Sequence, residues 1–178
     1  MTRTPSQTIG PFLSLAMRWP DDGPYVVPAG SPGAIWIRGR VLDGAGEPVG
    51  DGVVETWQPD ETGRFPANGH GPFRGFGRAL TDPDGRWAIH TVKPGPIRDP
   101  AGGDSAPFVS VAIFARGLLK PVWTRMYFGD EVAANAADGL MQSVDASRRG
   151  TLLAETTTAG YRFDVHLQGP DETVFFDV

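Results

Sequence analysis

Glycine and proline interrupt this chain so often that no long helix has room in it, with 24 Gly and 17 Pro spread through 178 residues. They are not gathered in tracts but separate short runs of Val, Ile, Phe and Trp, the punctuation of short strands joined by tight turns. The expectation is an all-β fold, a single-domain β-sandwich with short helices and long loops. A chain of 178 residues supplies one good hydrophobic core and is short for two.

Alternation places the strands. Residues 34–42 set Ile35 and Ile37 against Trp36 and Arg38, the pattern of a half-buried strand, and a turn follows at Asp43-Gly44-Ala45-Gly46. Residues 53–58 put Val53, Glu55 and Trp57 on one face and Val54, Thr56 and Gln58 on the other. Glu55 then needs a partner, for which Arg38 and Arg40 are the candidates. Pro83-Asp84-Gly85 turns the chain into a strand at 87–92, which Pro94-Gly95-Pro96 stops, and 99–106 reads as a loop. Residues 108–115 are apolar almost throughout, as in a strand buried on both faces, and 122–128 and 161–168 are further strands. Helix is confined to short stretches at 131–137 and 146–154.

Composition narrows the function. There is no cysteine, which removes disulfides, thiolate metal sites and cysteine nucleophiles together. A net charge of −5 without runs of like charge makes nucleic acid and anionic membrane poor partners. The opening MTRTPSQTIGPFLSLAMRWP has neither the shape of a signal peptide nor the length of a membrane span, so a cytoplasmic protein is expected. His70, His90 and His166 fall at no spacing that puts two on one face of a strand or helix. Tyr127 and Tyr161 lie within strand patterns, and Asp82 and Asp84 flank a turn proline, so packing and turn chemistry account for them.

Three segments carry a resemblance: TPSQTIGPF at 4–12, GRVLDGAGEPVGDGVVETWQPDETGRF at 39–65, and GYRFDVHLQGPDETVFFDV at 160–178. Between them FGRALTDPDGRW and HTVKPGP keep the same order. The strand-turn-strand pattern around Gly46 and Pro48 is generic and would equally suit a non-enzymatic sandwich binding module. The SQT-x-GPF and VETWQ segments, occurring with Lys93-Pro94-Gly95-Pro96, are narrower. Together they resemble the intradiol ring-cleavage dioxygenases, and among these the α subunits of the heteromeric enzymes that act on protocatechuate.

The resemblance implies a ferric ion held elsewhere by two tyrosinates and two histidines. Mapped onto this chain, the tyrosine positions fall on Phe65 and Ile97 and the histidine positions on Val109 and Val111. None of these side chains has a lone pair to donate. The resemblance therefore implies no metal and no catalytic residue in this chain, Fe(III) in a homologous iron-binding β subunit, and further αβ units in the assembly. Residues 1–33 become an arm reaching toward that partner, and 34–178 the sandwich. Gly10, Pro11 and Arg116 become the residues this chain lends to a pocket for protocatechuate, cleaved there with O2. The emptied ligand positions argue against a self-sufficient intradiol enzyme.

Overall fold

The structure, a computed structural model, describes residue 10 and residues 23–66, 71–98 and 103–177. It is built almost wholly of strands. β1 (Ala34–Leu42), β2 (Val53–Trp57), β3 (Phe76–Leu80), β4 (Arg86–Val92), β7 (Phe108–Phe114), β8 (Val122–Phe128), β9 (Leu153–Thr157), β10 (Gly160–Arg162) and β11 (Val165–His166) form the body. β5 (Ile97–Arg98) and β6 (Asp104–Ser105) make a small separate hairpin. Two short helices, α1 (Val132–Ala137) and α2 (Gly139–Ser143), follow β8.

The body has two layers joined at one corner. On one side β4, β1, β10 and β9 are neighbours, and on the other β3, β2, β7 and β8. β9 pairs with β10 and also, in parallel, with β8, so the hydrogen-bonded path runs from one layer into the other. Between the layers lies the main core. It takes Ile37 and Val41 from β1, Val54 from β2, Ile89 from β4, Val109, Val111 and Ile113 from β7, and Met126 and Phe128 from β8. At 25 cal/mol per Å² of apolar surface, this burial is the dominant favourable term in folding.

Several expectations hold closely and several shift. β1 and β8 carry the expected bounds, and Asp82 closes its turn by accepting from the amides of Asp84 and Arg86 at 2.9 and 2.8 Å. The strand expected over 161–168 is broken at Phe163 and Asp164, so β10 and β11 pair with successive parts of β1. There the Asp164 carboxylate accepts the Arg40 amide at 2.9 Å, and a Cβ on Gly39 would stand 1.7 Å from the Phe163 carbonyl oxygen. Only glycine permits that approach. The helix expected over 146–154 is one 3-10 turn at Arg149–Leu152 followed directly by β9.

Residues 23–33, assigned above to an arm, are packed against the sandwich. Val26 is in the main core, its amide donates to the His90 carbonyl at 2.8 Å, and the Arg78 amide donates to the Gly23 carbonyl at 2.8 Å. The remainder of the expected arm lies outside the described residues, apart from Gly10. Among the described residues no helix is long and apolar enough to cross a membrane.

Lys93, which opens the Lys-Pro-Gly-Pro segment, clamps the end of β4 to the β8–α1 corner. Its ammonium meets Asp130 at 2.9 Å and Glu131 at 2.5 Å, and the Tyr161 hydroxyl donates to Asp130 at 2.9 Å. Burial would lower the Lys93 pKa, but Glu131, Asp130 and Tyr161 hold it well above the ordinary lysine range.

Candidate functional site

The face of β2, β7 and β8 turned away from the main core carries the candidate site. Register stacks its side chains in rows: Glu55 lies beside Ala112 and Trp123, and Trp57 beside Ser110 and Arg125. Small side chains on the middle strand between aromatic ones on its neighbours leave a groove. Its volume is about 470 Å³ and it is lined by Glu55, Thr56, Trp57, Phe76, Ser110, Ala112 and Trp123. Trp57 is 39% exposed and Trp123 is 36% exposed.

Glu55 finds its cation across the β2–β3 pair rather than at Arg38 or Arg40. Arg78 stands opposite it and donates from Nε at 2.8 Å and from a terminal nitrogen at 2.5 Å, both side chains being largely buried. Arg38 instead lies over the Trp36 ring on β1. Pairing register, which alternation alone does not reveal, decides the partner.

Two loops frame the groove and depend on each other. Asp60 folds residues 60–64 around itself, accepting from the Thr62 amide and hydroxyl at 2.8 and 2.7 Å and from the Arg64 amide at 3.0 Å. Burial would raise its pKa, but these hydrogen bonds hold it below the ordinary carboxylate value. Gly63 has φ of 79°, and a Cβ there would stand 2.0 Å from the Pro96 carbonyl oxygen, while the Gly95 amide donates to the Asp60 carbonyl at 2.9 Å. The loop then delivers Phe65, stacked on Trp57 with centroids 5.7 Å apart and planes 12° apart. Gln58, fully buried, ties β2 to β4 by donating to the Val92 carbonyl at 2.9 Å and accepting from the Thr91 hydroxyl at 2.8 Å.

The positions expected to correspond to metal ligands do not converge. Phe65 borders the groove, and Ile97 packs on a second apolar cluster containing Phe108 and Tyr127. Val109 and Val111 point the opposite way, fully buried in the main core. One residue of shift along a strand reverses its face. The β7 side chains that share a face with Phe65 and Ile97 are thus Phe108 and Ser110. Phenyl and branched alkyl groups donate nothing to a ferric ion and a lone serine hydroxyl is no binding set, so these residues do not fit one. No group of three or more His, Asp or Glu placed to hold a metal occurs among the described residues.

Arg116 follows β7 at the end remote from Ser110. Its side chain is 66% exposed and paired with Asp51, two residues before β2. Gly10 has φ of 72° with open space where a Cβ would stand. Pro11 lies outside the described residues, as does His70. The structure therefore does not bring Gly10, Pro11 and Arg116 into one described pocket of this chain. His90 is packed between Tyr25 and Trp36 and its Nδ1 lies 3.2 Å from the Val27 carbonyl.

Arg125 was not singled out by the sequence. It lies flat over Phe108, its guanidinium carbon 3.9 Å from the ring centroid. Burial pushes the neighbouring Tyr127 hydroxyl up to about 12, the Arg125 side chain opposing that shift and Asp138 adding to it. Tyr127 donates to Asp138 at 3.0 Å, and Asp138 also accepts the Ala106 and Met141 amides at 3.0 and 2.8 Å, holding α2 to the sheet.

A family model described as Dioxygenase matches residues 21–169. The protocatechuate 3,4-dioxygenase alpha chain of Burkholderia cepacia is 40% identical over 100% of this chain and 98% of its own length. The beta chain from the same organism is 32% identical over 78% of this chain and 66% of its own length. Among solved structures, the dioxygenase domain of a dioxygenase carbohydrate-binding protein fusion from Streptomyces sp. SirexAA-E superposes with a TM-score of 0.65. It is 27% identical, over 94% of this chain and 99% of that one.

Proposed function

This chain belongs to the dioxygenase family, and from that premise we propose that it is the iron-free α subunit of a protocatechuate 3,4-dioxygenase. The observation that carries the reading is a contrast. Similarity to an alpha chain runs the full length of the sequence, while the positions that the resemblance assigns to two iron-binding tyrosines hold Phe65 and Ile97. We place the emptied histidine positions at Phe108 and Ser110, on the same face, rather than at Val109 and Val111.

In this reading a homologous β subunit binds Fe(III), and αβ units assemble further. The complex takes 3,4-dihydroxybenzoate and O2. The bond between the two hydroxylated carbons breaks, the O–O bond breaks, and each of those carbons ends as a carboxylate in 3-carboxy-cis,cis-muconate. This chain contributes shape and charge to the pocket. Gly10 and Pro11 offer a compact, preset stretch of backbone against a flat ring, and Arg116 offers a cation to the substrate carboxylate. Its placement in the cytoplasm belongs to the same proposal.

The test is to co-express the full chain with a homologue that carries Tyr and His at the emptied positions, and to purify by a tag on this chain alone. A complex containing iron and showing protocatechuate-dependent O2 uptake is expected. Purification of this chain without such a partner, or of a complex with no ring-cleaving activity, would overturn the reading.

A further inference from the structure

The layer on the far side of the sandwich from the groove gathers arginines that the proposed function does not use. On β1, Ile37 and Val41 enter the main core, so Arg38 and Arg40 stand on the outer face. Register sets Arg86 of β4 opposite Arg40, and Arg162 of β10 beside Arg38. Trp87 and Tyr161, their neighbours in sequence, are in the core, so these two arginines also point outward, and all four are exposed. The cluster was invisible in the sequence, because no two of the four are adjacent there.

Like charges on directly opposed strand positions destabilise a sheet, and local carboxylates answer only half of this cluster. Arg86 is paired with Asp82 and Asp84, and Arg162 with Asp164. Arg38 lies over Trp36, its guanidinium carbon 4.9 Å from the ring centroid. Among the described residues, neither Arg38 nor Arg40 has a carboxylate within ion-pair distance.

An acidic complement exists on the same chain. The turn at residues 43–47 lies against the turn that follows β11: a Cβ on Gly44 would stand 3.1 Å from the Gln168 side chain, and the Leu167 amide donates to the Leu42 carbonyl at 2.9 Å. Glu47 and Asp171 are exposed on these two turns and, among the described residues, neither has a lysine or arginine within ion-pair distance. The chain has 21 acidic residues against 16 basic, and four of the basic ones sit on this one face, so the rest of its surface is the more acidic. Two copies therefore repel in most orientations and attract where the arginine face of one meets the acidic corner of the other.

We propose that the outer face of β4, β1 and β10 is a contact between copies of this chain, Arg38 and Arg40 of one copy taking Glu47 and Asp171 of the next. The contact uses no residue assigned to the substrate pocket or to the emptied iron positions. It stands whether each copy comes alone or paired with an iron-bearing subunit.

The experiment uses the full-length chain as it purifies, with or without a partner, and reads mass by sedimentation equilibrium. Assemblies holding more than one copy are expected at about 0.05 M salt, coming apart towards about 1 M as the charges are screened. Arg38→Glu with Arg40→Glu should weaken association about a hundredfold or more, since like charges then face each other. Glu47→Lys with Asp171→Lys should do the same. Mixing these two reversed chains in equal amounts should restore assembly, because each then carries the charge that the other's altered surface needs. Urea midpoints report whether each variant is folded, and where a double reversal fails to fold, Arg38→Glu and Glu47→Lys alone carry the same comparison. A native chain that holds one copy at about 100 µM in low salt, an assembly that the arginine reversal leaves intact, or folded reversed chains that do not assemble when mixed would each overturn the proposal. So would an arginine reversal that releases an iron-bearing partner and leaves copies of this chain together. Failure to find such a partner would leave the contact between copies standing and bear only on the subunit reading.

Discussion

Single residues decide both the proposed pocket and the stability of its frame. Arg116 is 66% exposed and paired with Asp51, so holding a substrate carboxylate means sharing or exchanging that partner. In the assembled enzyme Arg116→Ala should lower kcat/KM for protocatechuate by about 1–3 kcal/mol in transition-state terms, with iron content unchanged. Turnover of catechol, which lacks the carboxylate, should stay nearly constant, and equal losses on both substrates would show that the residue is structural. Gly63 is the opposite case, a residue whose role is to be nothing more than backbone. With φ of 79° and the Pro96 carbonyl where a Cβ would go, Gly63→Ala should cost about 1–3 kcal/mol. Urea midpoints should show that loss, and the displaced Phe65 should alter the near-ultraviolet signal of Trp57. No turn at Gly63 was legible in the sequence, and neither was the carbonyl it makes room for, because Pro96 approaches from another part of the chain.

At the scale of elements, β7 shows what alternation can and cannot tell. Its apolar run marks a central strand, and the structure agrees. Because both faces are largely apolar, the run does not say which face meets the main core, and a match by motif can slip by one residue. The consequence can be measured. Val111→His would force an imidazole into the packed core between Thr56 and Thr124, whose hydroxyls already donate to the Gly77 and Val174 carbonyls, and should cost about 3 kcal/mol or more, whereas Ser110→His on the groove face should change stability by less than about 1 kcal/mol. Similar urea midpoints for the two variants would contradict the assigned faces. β1 was legible because it sets buried Ile37 and Val41 against exposed Arg38 and Arg40, and β4 because Pro83-Asp84-Gly85 opens it and Pro94-Gly95-Pro96 closes it. β3 was hidden by Gly77 and Arg78, the latter drawn there by Glu55. β9 was hidden because, of its side chains, only Ala154 is buried, so its strand form comes from pairing with β8 and β10 and leaves no hydrophobic pattern. The groove was half legible: Trp57 and Glu55 stood out, but Arg125 joins them only through the β7–β8 register.

Over the whole molecule, the two layers are held by the main core and by polar ties at their margins, and those ties set how stability depends on pH. Lys93 reaches from the end of β4 to Asp130 and Glu131 beyond β8, and Asp130 also receives the Tyr161 hydroxyl from β10. Burial would raise the Asp130 pKa, but Lys93 and Tyr161 hold it below the ordinary carboxylate value, and Asp60 is held low by its own loop. A carboxyl whose pKa is lower folded than unfolded stabilises the fold above its unfolded value, near 4, and loses that contribution as pH falls through its folded value. Lys93 has the opposite sign: its pKa is raised on folding, so its contribution is present below about pH 10 and disappears as pH rises beyond it. Stability should therefore be nearly flat between roughly pH 5 and pH 9 as far as these groups are concerned, falling on either side. Asp130→Asn should lower the plateau by about 0.5–1 kcal/mol, since Asp130 is partly exposed and its ion pair is screened. It should also shrink the acid-side slope, because one fewer group takes up a proton on unfolding. Urea titrations from pH 3 to pH 7 on the native protein and the variant measure both, and an acid slope unchanged by Asp130→Asn would show that the Asp130 carboxylate adds nothing to the joining of the layers.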